Sequence, residues 1–240
     1  MAPAGSPRSR FETTEWSLVL AAAGDDSEGG EALARLCSMY WYPVYAFVRR
    51  HVGTAEEAQD LTQGFFTRVL EKQELGRVDR NRGRFRSFLL TACRHYIANE
   101  WDHRNAVKRG GSATMIPIDL LEAEGRYERA LSSPETPERL YERQWALTMM
   151  AVVLDTVHRD YVEAGKERLF DRLSGCLAES DGTYEDAARE LGMSRSAVKM
   201  AVHRLRKRYR DALRQHVADT LDSPAAVDDE IRQLMIAAGM

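Results

Sequence analysis

Between residues 191 and 210 the chain places seven Lys or Arg side chains and no acid. At helical period, Lys199, His203, Arg206 and Arg210 share one face, with Arg195, Arg204, Lys207 and Arg208 beside them. Ammonium and guanidinium groups in such a row bind phosphate oxygens, and Arg or Lys can also read guanine in a major groove. A second island, residues 80–109, holds eight Lys or Arg against two acids. There Arg82, Arg84 and Arg86 precede an amphipathic stretch that exposes Arg94, His95 and Asn99 and ends among Arg104, Lys108 and Arg109. Aromatic residues interleave with the charge, a combination suited to single-stranded or melted nucleic acid. Phe85, Phe88, Tyr96 and Trp101 fall at helical spacing, however, and are expected in the core.

The elements that must hold these side chains are helices. YEDAARELGMSRSAVKMAVHRLRKRYRD, residues 184–210, reads as two helices and a turn. Ala188 is small where the helices cross, Gly192 supplies a positive φ, and Ser194 can cap the second helix. Leu191, Val198, Ala201 and Leu205 then fall on one face. Upstream, Leu33, Leu36, Tyr40, Val44, Phe47 and Val48 recur at helical spacing, as do Ala58, Leu61, Phe65 and Val69, and then Phe85, Phe88, Leu89, Ala92, Tyr96 and Ile97. These predict an N-terminal bundle over residues 11–109, with Pro43 kinking its first helix. Residues 110–136 are rich in Gly, Pro, Ser and acids and read as a flexible acidic linker with short ordered patches. Thr136-Pro137 then opens a second helical set over 137–218. A terminal helix within 219–240 carries acids in its first turn and Val227, Ile231, Leu234 and Ala238 on one face. The fold class is all-α, in two helical domains.

With 240 residues and 44% hydrophobic content, the chain has enough apolar material for compact cores. The net charge of −3 is unevenly spread: residues 110–142 hold seven acids against three bases, and 217–240 five against one. Cys37, Cys93 and Cys176 have no metal-ligand spacing and are expected as reduced thiols. No metal, cofactor or catalytic group is expected, since no P-loop, GxSxG or functional carboxylate pair occurs. Apolar runs are too short or interrupted to span a bilayer and the N-terminus lacks a secretion signal, so a cytoplasmic protein with no membrane partner is expected.

The run EEAQDLTQGFFTRVLE, then GRFRSFLLTACRHYIANEWDHRNAVKRG, then YEDAARELGMSRSAVKMAVHRLRKRYR resembles regions 2 and 4 of a bacterial RNA polymerase sigma factor of the extracytoplasmic-function group. The resemblance covers about residues 30–110 and 137–218. It implies that the helix of Glu57, Asp60, Leu61, Gln63 and Phe66 binds the clamp helices of core RNA polymerase, with the flap region as a further contact. It implies that Arg84, Arg86, Arg94, His95, Asn99, Arg104, Lys108 and Arg109 serve the minus-ten element. Lys199, Met200, His203 and Arg204, flanked by Arg195, Ser196 and Lys207, would read the minus-thirty-five element. The function implied is promoter targeting and opening, without catalysis; a helix-turn-helix regulator that is not a sigma factor is the alternative.

The chain departs from the family pattern in two places. Many relatives carry a more acidic polymerase-binding helix, and here Gln59 and Gly64 stand where carboxylates are usual. Loss of charge weakens complementarity to a basic surface. Thr62 lies beside both losses and resembles a position in a subgroup switched by threonine kinases; phosphorylation would add about −1.5 to −2 charge units. A serine/threonine kinase would then be a partner, with an anti-sigma protein as a further candidate; the alternative is that Thr62 is merely a helix residue flanking the buried stripe of Ala58, Leu61 and Phe65. The segment after Leu221 is the second departure. It would either dock as a lid over a basic surface or extend the core of the second domain.

Overall fold

The structure is a computed structural model and describes residues 39–71, 85–106, 120–130, 134–177, 184–221 and 224–240. Among them every regular element is helical, in agreement with the all-α expectation. The chain divides into two compact units, residues 1–146 with 218–240, and residues 147–217.

In the first unit, α1 (residues 39–49) is buried almost throughout, from Tyr40 to Val48, and runs on through Pro43. Leu33 and Leu36, expected on the same helix, lie outside the described residues. Thr54 starts α2 (Ala55–Glu71): its hydroxyl accepts from the Glu57 amide at 3.2 Å, and Glu56 and Glu57 sit in the first turn, where the helix dipole favours acids. Helix α3 (Phe85–Ala106) buries Phe85, Leu89, Cys93 and Ile97. Aromatic edges close the core between helices, Tyr40 on Phe85 at 5.2 Å and Phe65 against Tyr96 at 5.8 Å between ring centroids.

The segment expected to be a flexible linker is partly built into this unit. Within it, α4 (Leu120–Ala130) buries Ala123, Tyr127 and Ala130. Its Glu124 accepts from the Tyr45 hydroxyl at 2.5 Å and from Arg49 Nε at 3.0 Å, while Arg126 stacks 3.6 Å over the Tyr42 ring. A charge on an otherwise apolar helix face is thus satisfied by the polar ends of α1 side chains. Residues 107–119 lie outside the described residues.

Thr136 caps α5 (Pro137–Glu163) as expected, accepting from the Arg139 amide at 3.3 Å. Leu140, Tyr141, Trp145 and Ala146, from its first turns, are buried in the first unit. Helix α9 (Val227–Ala238) also belongs to this unit and not to the core of the second. Val227, Glu230 and Leu234 are its buried residues, so an acid sits between the apolar positions that periodicity identified. Ser223 of the expected cap lies outside the described residues.

The second unit contains the remainder of α5, α6 (Glu167–Ser174), a 3-10 turn (Gly175–Leu177), α7 (Tyr184–Leu191) and α8 (Arg195–Asp219) through Val217. Its core joins Val157, Phe170, Leu173, Cys176, Tyr184, Ala187, Val198, Ala201, Val202 and Leu205.

Candidate nucleic-acid interface

The turn between α7 and α8 has the geometry its sequence requires. Gly192 adopts φ +63°, a left-handed conformation disfavoured for residues with a Cβ, and the Met193 amide reaches back to the Ala188 carbonyl at 2.9 Å. Ser194 Oγ accepts from the Ala197 amide at 3.2 Å and caps α8. Burial of Val198, Ala201, Val202 and Leu205 then fixes which way α8 faces. Arg195, Ser196, Lys199, Met200, His203, Arg204 and Lys207 are all exposed, and Met200 keeps 56% of its surface in water. Spacings of three and four residues line these side chains along one side of the helix.

Two neighbours in the same basic run have other tasks. Arg206 is half-buried and donates to the Cys176 carbonyl at 2.7 Å, and Arg208 pairs with Asp160 at 2.9 Å. Arg206, placed on the open basic face by periodicity, therefore ties α8 to the 3-10 turn. Arg172 pairs with Glu190 at 2.8 Å and Arg168 donates to the Glu190 carbonyl at 2.8 Å, holding α6 to the end of α7.

The first basic island separates into three groups. Arg94, His95 and Asn99 are exposed on α3 as expected, and Arg94 pairs with Glu138 at 2.6 Å. That bond and its own backbone amide hold the Glu138 carboxyl below the usual range. Arg86, expected to contact nucleic acid, is instead 5% exposed. Its guanidinium lies 4.3 Å over the Trp145 ring, pairs with Glu142 at 2.8 Å and meets the buried Glu230 carboxylate. Arg84, Lys108 and Arg109 lie outside the described residues, as does the side chain of Arg104. Of the aromatics expected in the core, Phe85 is buried and Phe88 and Tyr96 are half-buried. Trp101 departs from that expectation, with 42% of its surface exposed.

On α2, Asp60 is exposed and Glu57 half-buried, whereas Leu61, Gln63 and Phe66, expected at a partner surface, are buried. Thr62 is also buried, and its hydroxyl donates to the Ala58 carbonyl at 2.7 Å. The exposure that a phosphate acceptor needs is absent in this fold. Gly64 faces the Tyr96 hydroxyl so closely that any Cβ would collide with it. Its glycine is explained by that approach, with no appeal to charge.

Sequence reasoning missed the acids that meet these cations: Glu124, Glu138, Glu142 and Glu230. The available signal was the acid-rich composition of 110–142 and 217–240 next to basic islands. Among the described residues no group of His, Cys, Asp and Glu could hold a metal, and no helix is long and apolar enough to cross a membrane.

Residues 39–107 match the family model of sigma-70 region 2. That span covers α1, α2 and α3, the helices of the first basic island and of the acid-poor segment. A curated relative, the ECF RNA polymerase sigma factor SigE of Mycolicibacterium smegmatis, is 26% identical over 183 residues, 75% of this chain. The chain spans 61% of the length of that relative. No solved structure matches the chain. The likeness to sigma-70 region 2 is thus confined to residues 39–107, the span of α1, α2 and α3.

Proposed function

We propose that this protein is a sigma factor that binds core RNA polymerase, directs it to specific promoters and assists promoter opening. The observation that carries this reading is the sigma-70 region 2 match over residues 39–107. In this reading residues 11–109 carry region 2, and within 137–218 the compact unit of residues 147–217 carries region 4. Glu57 and Asp60 supply the charge that α2 offers the clamp helices, and Arg94, His95 and Asn99 face the minus-ten element from α3. Lys199, Met200, His203 and Arg204 on α8 read the minus-thirty-five element, with Arg195, Ser196 and Lys207 on flanking phosphates. The exposed stripe of α8 supports this second grip: all seven side chains are exposed, with Arg195 paired to Glu185 at 3.3 Å on the α8 surface. Thr62 has no part in the reading, because its hydroxyl is buried and bonded to Ala58. The work is targeting and strand capture, done by binding alone and in the cytoplasm, where polymerase and DNA are.

The test is transcription by core polymerase, with and without the full-length protein, on a pool of templates randomised around the two promoter elements. A sigma factor makes core initiate at a recurring sequence and is required for it. A helix-turn-helix regulator would leave core inactive and change initiation only when another sigma factor is added.

A further inference from the structure

Helix α9 has no part in the proposed function, yet it carries the one buried acid among the described residues. Glu230 is 1% exposed and its carboxylate meets Arg86, which is 5% exposed. Val227 and Leu234, three residues before and four after, are buried beside it, so docking of the helix and insertion of the carboxylate are one event. Arg86 is held from other sides by Glu142, by the face of Trp145, and through its carbonyl, which accepts from the Tyr141 hydroxyl at 3.0 Å.

Stability alone does not call for charge here. Buried ion pairs are often replaced by apolar residues with no loss, because desolvation offsets the attraction. Arg86 also lies on α3 eight residues before Arg94, and Arg94 too is occupied by a carboxylate, that of Glu138. Glu138 and Glu142 are one helical turn apart on α5. Both arginines of α3 whose side chains are described thus grip carboxylates, anions that share with phosphate the geometry a guanidinium prefers. The two pairs differ in kind. Arg94 stays 48% exposed and can exchange its partner in place, whereas Arg86 cannot reach solvent while Glu230 covers it.

We propose that α9 is an intramolecular strap that withholds Arg86 from nucleic acid. Docked, it seats Glu230 on the guanidinium; undocked, it leaves Arg86 with Glu142 at the solvent boundary, free to turn and join Arg94 on a phosphate backbone. The inference rests on the reading of α3 as a helix that faces nucleic acid. It makes the terminal segment an autoinhibitory element, with the charge of Glu230 as its catch.

The experiment uses the full chain and a fluorescent twelve-nucleotide oligo-dT single strand, titrated over a series of salt concentrations. Hydrogen exchange across residues 227–238 is followed in parallel. Glu230→Gln is expected to speed exchange in α9, to tighten binding by about 5-fold or more, and to steepen the log-log salt dependence by about 0.7, one further phosphate contact. Asp229→Asn removes the same charge from an exposed position paired with Arg232 and is expected to change neither. Arg86→Gln added to Glu230→Gln returns binding to that of the parent. Should Glu230→Gln unfold the protein, Val227→Ala loosens α9 without touching charge and carries the same expectation. Faster exchange with unchanged binding, a gain that survives Arg86→Gln, unchanged exchange, or no binding by any variant overturns the strap. Initiation by core polymerase with the parent protein is scored separately. Its failure beside a positive oligonucleotide result removes the sigma role alone, and its success beside a negative one removes the strap alone.

Discussion

Two positions on α2 show how much a single side chain's surroundings decide. Thr62 sits in the apolar stripe of Ala58, Leu61, Phe65 and Phe66, with no exposed surface and its hydroxyl turned to Ala58. Thr62→Glu would place an unpaired carboxylate in that stripe, so it is expected to destabilise the first unit by about 3 kcal/mol or more. Thr62→Val, close in shape, should cost less than about 1.5 kcal/mol. Thermal unfolding of both variants checks this; a Thr62→Glu protein as stable as the parent would show that the side chain reaches water. Gly64 gives a second expectation with a sign that depends on one oxygen. Gly64→Ala should gain about 1 kcal/mol in helix propensity, but the new Cβ collides with the Tyr96 hydroxyl and the substitution is expected to lower the melting temperature. Beyond that oxygen the nearest ring atom is 3.5 Å from the Cβ, an ordinary contact. In a Tyr96→Phe background the same change should therefore become neutral or stabilising. Equal effects in both backgrounds would remove the steric account. Neither position was legible in sequence beyond its helical register. Thr62 tolerates burial or exposure on a helix, and the neighbour that explains Gly64 lies on another helix, thirty-two positions away.

At the scale of elements, legibility followed the range of the forces. The turn between α7 and α8 was readable because Gly192 and Ser194 act on backbone within three residues of themselves. The Thr136 cap of α5 was readable for the same reason. Helix α4 was not, because its stability comes from partners on α1. Glu124 with Tyr45 and Arg49, and Arg126 over Tyr42, are contacts that composition reads only as linker polarity. This clamp has a pH signature. Burial pushes the Tyr42 hydroxyl up from 10.0 to about 12, and burial with the Glu124 hydrogen bond raises Tyr45 further. A phenol whose folded pKa is raised binds its proton more tightly in the folded state. Its contribution is complete below the unfolded value and is lost as pH rises through the folded one. Stability of the first unit is expected to fall between pH 10 and about 12, with tyrosinate absorbance appearing together with loss of helix. Tyr42→Phe should shallow that fall. A stability flat across this range, with both tyrosines ionising in the folded state, would contradict the packing of α4 on α1.

For the whole molecule, the net charge of −3 conceals a sorting of charges that sequence position alone does not give. Arg206, Lys207 and Arg208 are adjacent and chemically similar, and periodicity placed Arg206 on the open face. The fold assigns them differently: Lys207 is exposed, while Arg206 is half-buried on the Cys176 carbonyl and Arg208 is engaged by Asp160. Binding to duplex DNA should separate them. A lysine on a phosphate contributes about 0.9 to the log-log salt dependence, so Lys207→Ala should shallow it by that amount and weaken all sequences alike. Arg204→Ala, if its guanidinium meets a guanine edge, should instead cost about 1–3 kcal/mol on the preferred sequence and little elsewhere. Arg206→Ala should leave the salt dependence unchanged and lower the melting temperature of the second unit, since a buried carbonyl loses its donor. The measurement is a salt series of affinities for these variants on one preferred and one scrambled duplex. If Arg206→Ala shallows the slope as Lys207→Ala does, the basic run acts as a diffuse field, and the one-sided face of α8 is not the surface that meets DNA.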